Sequence, residues 1–301
     1  MDAVSAERGT SAYLVDASIY VFRAWHSIPS DFTDVDGHPV NAVHGFTRFL
    51  LDLLERAKPT HAAICFDESL TSSFRNAIYP DYKANREMPP EELHRQFAYC
   101  REVAAALGMT VLTDSTFEAD DLIGSAVSVL GKIDCHSVIV SADKDFGQLI
   151  GDAVEQWDFS RDQRWNAQGV KQRLGVHPEQ VADFLALMGD AVDNIPGIPG
   201  IGAKTAAVLL SHFGTLDALL SRSDEVAFLR MRGAASVSAR LREHAALATL
   251  SRRLTGIALD APVPLDLDGY ARKTPDDAVV AELFERIRLG PMTRARVRAL
   301  V

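Results

Sequence analysis

Cysteine is scarce in this chain of 301 residues, and the three present, Cys65, Cys100 and Cys135, are an odd, widely spaced set. No CxxC or Cys/His spacing suggests zinc, so reduced thiols and a cytoplasmic setting are expected. Long apolar runs are missing as well. Nothing approaches the roughly 18 to 20 apolar residues of a membrane span. Residues 1–10 are polar, so neither a signal peptide nor a membrane partner is expected. No internal repeat or low-complexity segment stands out. A surplus of positive charge is absent too, and the net charge of −10 argues at first against a nucleic-acid partner. The charge is uneven, however: residues 222–301 hold 14 Lys and Arg against 10 Asp and Glu, a net of +4, leaving −14 on residues 1–221. That acid is either solvated surface or a cation site whose bound metals would draw phosphates in, and charge alone does not choose.

What is present reads as strands alternating with helices. Tyr13-Leu14-Val15 is a short apolar run ending at Asp16, and Ala62-Ala63-Ile64-Cys65-Phe66 is another ending at Asp67. Met109–Leu112 and Val138-Ile139-Val140 supply two more, the last running into Asp143. Between them, Val43, Phe46, Leu50, Leu53 and Leu54 recur at helical spacing from Asn41 onward, and a second helix is expected from about Glu91 to Leu107 with Gly108 as its stop. This alternation predicts an α/β fold with a mostly parallel sheet and right-handed crossovers. Asp16, Asp67 and Asp143 then share the C-terminal edge of the sheet, where open α/β sheets bind ligands. Beyond about Val176 the texture changes. Helical segments Val181–Met188 and Ala203–Phe213 flank a Gly- and Pro-rich loop, so a boundary is placed at 178/179, giving regions 1–178 and 179–301.

Further acids join those strand-end aspartates in tight clusters: Glu118, Asp120 and Asp121; Asp143 with Asp145; and Asp190 with Asp193. Like charges this close need protons or cations when partly buried. Mg²⁺ takes oxygen ligands, and a two-metal phosphodiesterase holds its ions roughly 4 Å apart. Each cluster also has a plainer reading. Ser115–Glu118 fits a capping box with the following aspartates at a helix start, and Asp143-Lys144-Asp145 fits a solvated turn. An EF-hand fails, because Gln148 and Val154 stand where the loop needs Gly and Glu. Asp145-Phe146-Gly147 spells a kinase triplet, but the other kinase motifs are missing.

Taken together the segments resemble the 5′-nuclease (flap endonuclease) superfamily, in particular its bacterial branch, which includes the 5′-3′ exonuclease domain of DNA polymerase I. The likeness rests on Leu14-Val15-Asp16 with Phe22-Arg23-Ala24, Asn41–Phe46, Phe66-Asp67 with Phe74-Arg75, and Tyr82-Lys83-Ala84-Asn85-Arg86. It continues through Glu118-Ala119-Asp120-Asp121, Ser141–Asp145, and Gly189-Asp190 to Lys204-Thr205, all in family order. The resemblance implies a parallel-sheet domain with a helical arch at about 70–100 and a helix-hairpin-helix region beyond it. One Mg²⁺ or Mn²⁺ would be held by Asp16, Asp67, Glu118 and Asp120, and a second by Asp143, Asp145 and Asp193. Asp121 and Asp190 fall where bacterial members carry extra acids that act through water. Lys83 and Arg86 match the basic pair that stabilises the scissile phosphate, with Arg23 and Arg75 in the same region. Gly197, Gly200, Gly202, Lys204 and Thr205 match the hairpin that holds duplex backbone and a K⁺.

The implied activity is structure-specific 5′-3′ exonuclease or flap endonuclease cleavage of DNA in replication and repair. Its substrates would be 5′ flaps, nicks or overhangs and RNA-primed ends, cut by a monomer that stands alone because no polymerase domain follows. Ala17 stands where many relatives have glycine, and the arch segment is short and carries Met88-Pro89-Pro90. Three other readings compete. A DNA-structure-binding protein without catalysis would lack some of these carboxylates. A PIN-like ribonuclease would lack the hairpin, and a dinucleotide fold needs a strand before the glycines.

Overall fold

A computed structural model describes residues 10–68 and 73–300. Strands β1 (Ser11–Asp16), β2 (His61–Cys65), β3 (Thr110–Leu112), β4 (His136–Val140) and β5 (Val154–Asp158) form a parallel sheet, and β6 (Gln163–Trp165) closes one edge antiparallel, in the order β3-β2-β1-β4-β5-β6. The central strands carry near-continuous apolar runs, Tyr13–Val15, Ala62–Cys65 and Val138–Val140, because both faces are covered. Alternate residues go to opposite sides: Val15, Ile64 and Val140 enter one core, while Leu14, Ala63 and Ile139 enter the other. The chain runs outward from β1 to β3 and then jumps back to place β4 beside β1. The switch point therefore lies between the ends of β1 and β4, the place where open α/β sheets bind ligands.

Helices α1 (Ala17–Ser27), α2 (Asn41–Ala57), α3 (Phe74–Ile78), α4 (Glu91–Ala106) and α5 (Ala119–Lys132) connect these strands. Residues of α1, α2 and α4 pack one face of the sheet and residues of α5 the other. Helix α4 stops at Gly108, whose positive φ of 80° and 1.8 Å clearance between an added Cβ and the Lys273 carbonyl oxygen demand glycine. Of the segment expected to form an arch, residues 73–90 contain α3 and a chain of turns, and residues 91–100 belong to α4. The reason is amphipathicity: Leu93, Gln96 and Cys100 are buried, and the Gln96 side chain accepts from the Ala42 N–H at the start of α2.

Helices α6 (Ala167–Leu174), α7 (Val181–Met188), α8 (Ala203–Phe213), α9 (Leu216–Ser221), α10 (Ala234–Glu243) and α11 (Ala245–Thr255) surround a second core built on Phe184, Leu187, Leu210, Leu219 and Leu241. The remaining chain does not stay with that core. Residues 257–300, including α12 (Asp277–Arg286) and α13 (Pro291–Arg298), return to the sheet. Phe284 and Val297 fill the first core and Tyr270 the opposite one, while Arg272 N–H donates to the Thr60 carbonyl. Arg296 there pairs with Asp52 and Glu55, and Arg252 on α11 with Asp183, whereas Arg253 and Arg298 lie exposed or half-exposed at the surface. All three cysteines are free and buried. Among the described residues, no helix is long and apolar enough to cross a membrane.

Candidate metal centre

Asp16 ends β1, and Asp67 lies two residues past β2. Glu118 is the N-cap of α5 and Asp120 sits in its first turn. Asp143 caps a 3₁₀ turn (Lys144–Leu149) after β4, and that turn carries Asp145. Asp190 and Asp193 lie in a tight turn after α7, closed by paired backbone hydrogen bonds between Asp190 and Ile195. Short bonds draw these pieces together. Ser141 Oγ donates to Asp16 Oδ2 at 2.8 Å, joining the ends of β4 and β1 across the switch point. Asp67 Oδ1 accepts from the Ala119 N–H at 2.9 Å, joining β2 to the start of α5. Tyr82 hydroxyl reaches Glu118 Oε2 at 3.0 Å and Asp193 Oδ2 at 3.4 Å.

The electrostatics are those of a site short of positive charge. Burial, then the neighbouring charge of Asp67, pushes Asp16 up to about 7. Burial and the charges of Asp16 and Asp143 raise Asp120 well above the ordinary carboxylate range. Burial and Asp143 push Asp145 up to about 7, and its buried Oδ1 has no hydrogen-bond partner. Oxygen-only donors, crowded and desolvated, with one carboxylate oxygen that accepts no hydrogen bond and has only Lys144 Nζ at 3.4 Å, suit divalent cations of the Mg²⁺ type. Below pH 3.8, the ordinary aspartate value, these acids hold protons in folded and unfolded chains alike. Between 3.8 and about 7 the folded chain keeps protons that the unfolded chain has lost. Stability of the metal-free protein therefore falls as pH rises through that window. Millimolar Mg²⁺ is expected to raise the melting temperature by about a few degrees at pH 8 and hardly at pH 5. Melting curves with Mg²⁺ and with chelator check this, and equal shifts at both pH values would contradict it.

Three cations stand among the acids. Lys83 Nζ donates to Glu118 Oε1 at 2.5 Å, Arg86 pairs with Asp193, and Lys144 Nζ donates to Asp190 Oδ2 at 2.6 Å. Glu118 is held below the usual range because Lys83 and Arg75 outweigh its burial. Lys83 takes a left-handed φ of 55°, and its N–H donates to the Asp193 carbonyl, so residues 81–86 are moulded onto the turn that carries Asp193.

Three expectations are corrected. Arg75 is 3% exposed, and its guanidinium donates to Asp121, Glu118 and the carbonyls of Leu254 and Gly256, leaving no donor for DNA. Asp121 is 0% exposed; both its oxygens face Arg75, and they also accept the Glu118 and Ala258 N–H groups, so it has no free lone pair facing the other acids. The capping box expected at Ser115–Glu118 lies three residues later, because Asp114 takes the N–H groups of Thr116 and Phe117 and the helix starts at Ala119.

Gly197 packs on Gly189, where an added Cβ would sit 2.3 Å from the Gly189 nitrogen, so its glycine serves backbone packing. Gly202 and Lys204 are exposed at the start of α8, Thr205 is half-buried beside them, and Arg240 donates to the Gly200 carbonyl at 3.3 Å. Arg23 is exposed over the Tyr20 ring, in a surface groove with Arg48 and Arg56. Sequence reasoning missed Ser141, Lys144 and Gln156, whose amide donates to the carbonyls of Ser141 and Asp143 and fixes the loop after β4. The Tyr82 ring is buried, so it offers no face for stacking on a base. Among the described residues a separate acidic group, Asp34, Asp36 and His38, lies in a surface turn in which Asp34 accepts backbone N–H groups.

A parallel sheet whose switch point gathers carboxylates from several elements is an architecture of metal-dependent phosphodiester hydrolases. Comparison narrows the class. Residues 11–175 match the family model of the 5′-3′ exonuclease N-terminal resolvase-like domain, and residues 176–278 that of the 5′-3′ exonuclease C-terminal SAM fold. The chain belongs to the 5′-3′ exonuclease family. It is 37% identical to DNA polymerase I of Rhizobium leguminosarum over 96% of its length, covering 28% of that protein. It is 43% identical to DNA polymerase I of Treponema pallidum over 69% of its length, covering 21% of that protein. The chain thus spans less than a third of these relatives. Among solved structures, the zinc-bound T5 5′-exonuclease aligns with a TM-score of 0.69 at 20% identity, over 93% of this chain and all of the other. The catalytic core of Rad2 in complex with a DNA substrate aligns with a TM-score of 0.65 at 14% identity, over 98% of this chain and 93% of the other.

Proposed function

We propose that this chain is a structure-specific 5′-3′ exonuclease and flap endonuclease that hydrolyses DNA phosphodiesters with two Mg²⁺ or Mn²⁺ ions. The observation that carries the reading is the crowding of carboxylates around Asp143 at the switch point: burial and its charge push up Asp16, Asp120 and Asp145, with Asp67 adding to the first two and Asp190 and Asp193 to the third. Asp16, Asp67, Glu118 and Asp120 would hold one ion, and Asp143, Asp145 and Asp193 the other. Bound there, divalent ions supply a nucleophilic water at neutral pH and neutralise charge developing on the phosphate. The chain's own residues do the rest. Asp67 and Glu118 are held in place by the start of α5, and Asp143 by Gln156 and Ser141. Once Glu118 and Asp193 are engaged, Lys83 and Arg86 are free to grip the scissile phosphate.

The reading gives chemistry to region 1–178 together with Asp193, and duplex contact to the hairpin in region 179–301, where Gly202, Lys204 and Thr205 face backbone phosphates without reading bases. It takes K⁺ at the hairpin carbonyls, next to the Arg240 contact, and Arg23 as a contact to the substrate strand. It describes a monomer acting in the cytoplasm during replication and repair on 5′ flaps, nicks, overhangs and RNA-primed ends.

The test is a time course on a labelled 5′-flap duplex with Mg²⁺, Mn²⁺ or chelator. Metal-dependent release of 5′ fragments is expected; tight binding without cleavage under any metal would overturn the reading. In the same assay Lys83→Ala is expected to lower kcat about a hundredfold or more with little change in affinity, because its contact matters most where charge develops. A loss confined to KM would remove Lys83 from that role.

A further inference from the structure

Lys144 is a cation inside a ring of acids, and the ligand assignment above gives it no part. Its Nζ lies 2.6 Å from Asp190 Oδ2 and 3.4 Å from Asp145 Oδ1. Asp190 in turn organises the turn that carries Asp193. Its Oδ1 accepts the Val192 N–H at 2.8 Å, and its backbone pairs in both directions with Ile195. On the other side, Lys144 is the chain neighbour of Asp143 and Asp145, in a turn closed by the Asp145 N–H on Asp143 Oδ1. One ion pair thus ties a turn on the sheet's edge to a turn of the second core. Each turn carries a carboxylate that must meet the other's: Asp145 on one, Asp193 on the other.

We propose that the Lys144–Asp190 pair is the positioning element that sets the separation of Asp145 and Asp193, and with it the affinity of the second divalent-ion position. The inference rests on the two-ion reading above. It also gives Asp190 a part other than acting on a metal through water: like Asp121 with Arg75, it is paired with a dedicated cation.

Two effects of removing Lys144 oppose each other, which makes the sign of the outcome decisive. By charge alone, deleting a cation from a crowd of acids tightens binding of a divalent ion. By position, untying the turns weakens it, and partners that orient metal ligands are typically worth about 10- to 100-fold in affinity. Lys144 is about a third exposed, so solvent screens its charge while its tether remains, and the positional effect is the larger one.

The experiment is an equilibrium titration of the full chain with Mn²⁺, following free Mn²⁺ by electron paramagnetic resonance. Wild type is expected to take two ions. Lys144→Met should leave the first step near wild type and weaken the second by about tenfold or more. Lys144→Arg, which keeps the cation, should restore the second step. Asp190→Asn keeps an oxygen for the Val192 N–H but loses the ion pair; it should also weaken the second step, and it serves if Lys144→Met does not fold. A second step in Lys144→Met as tight as wild type or tighter overturns the proposal, as does an unchanged second step in Asp190→Asn. A wild type that binds a single ion is a different failure: it overturns the two-ion reading, and this inference with it.

Discussion

Asp143→Asn is expected to reduce flap cleavage more than about a hundredfold while leaving the fold intact. Asp143 stands at the switch point, where its charge adds to the burden on Asp16, Asp120 and Asp145. Asparagine keeps the oxygen that accepts the Asp145 N–H and leaves its own carbonyl for Gln156, so the turn survives. What is lost is one negative charge among crowded neighbours. In chelator the variant should therefore melt no lower than wild type, because a repulsion has been relieved. Asp67→Asn makes the same case from the other strand, since Asn keeps an acceptor for the Ala119 N–H. Near-normal turnover in either variant, with folding confirmed by the melt, would show that the ligand assignment is wrong.

Arg75→Met should unfold far more easily than wild type, by about 3–5 kcal/mol, because it strands Asp121 as a buried acid without its cation and leaves Glu118 with Lys83 alone. Arg75 also bonds to the carbonyls of Leu254 and Gly256, so its loss frees the connection between the second core and the returning chain. Adding Asp121→Asn should recover part of the loss, since the larger part of the penalty is an uncompensated charge. Urea denaturation of the single and double variants measures both effects. Unchanged stability together with weakened DNA affinity would instead return Arg75 to the DNA-contacting role that the resemblance implied.

That reversal shows which parts of the site could be read from sequence. Strand-end aspartates were legible because the apolar runs of β1, β2 and β4 are buried on both faces, so each run marks its own end. The helices at Asn41, Glu91, Val181 and Ala203 were legible from apolar spacing and from glycine stops. Strands β5 and β6 were not: Glu155 and Gln156 break any apolar run, and Gln156 is buried only because its amide serves the carbonyls of Ser141 and Asp143. The partners of the acids were illegible for a related reason. An arginine next to a phenylalanine reads the same whether it faces DNA or a buried aspartate 46 residues away. Pairings such as Arg75 with Asp121 and Lys144 with Asp190 are set by tertiary approach, which no local spacing encodes. The return of residues 257–300 to the sheet was hidden likewise, because Tyr270, Phe284 and Val297 look like any amphipathic helix or loop positions until their cores are seen.

The most direct test of the central claim is anomalous diffraction from crystals of the protein grown with Mn²⁺. Two peaks are predicted at the switch point, one among Asp16, Asp67, Glu118 and Asp120 and the other among Asp143, Asp145 and Asp193, with Asp121 and Asp190 still on Arg75 and Lys144. No peak between these acids, or Mn²⁺ found only at the surface group of Asp34, Asp36 and His38, would contradict the account.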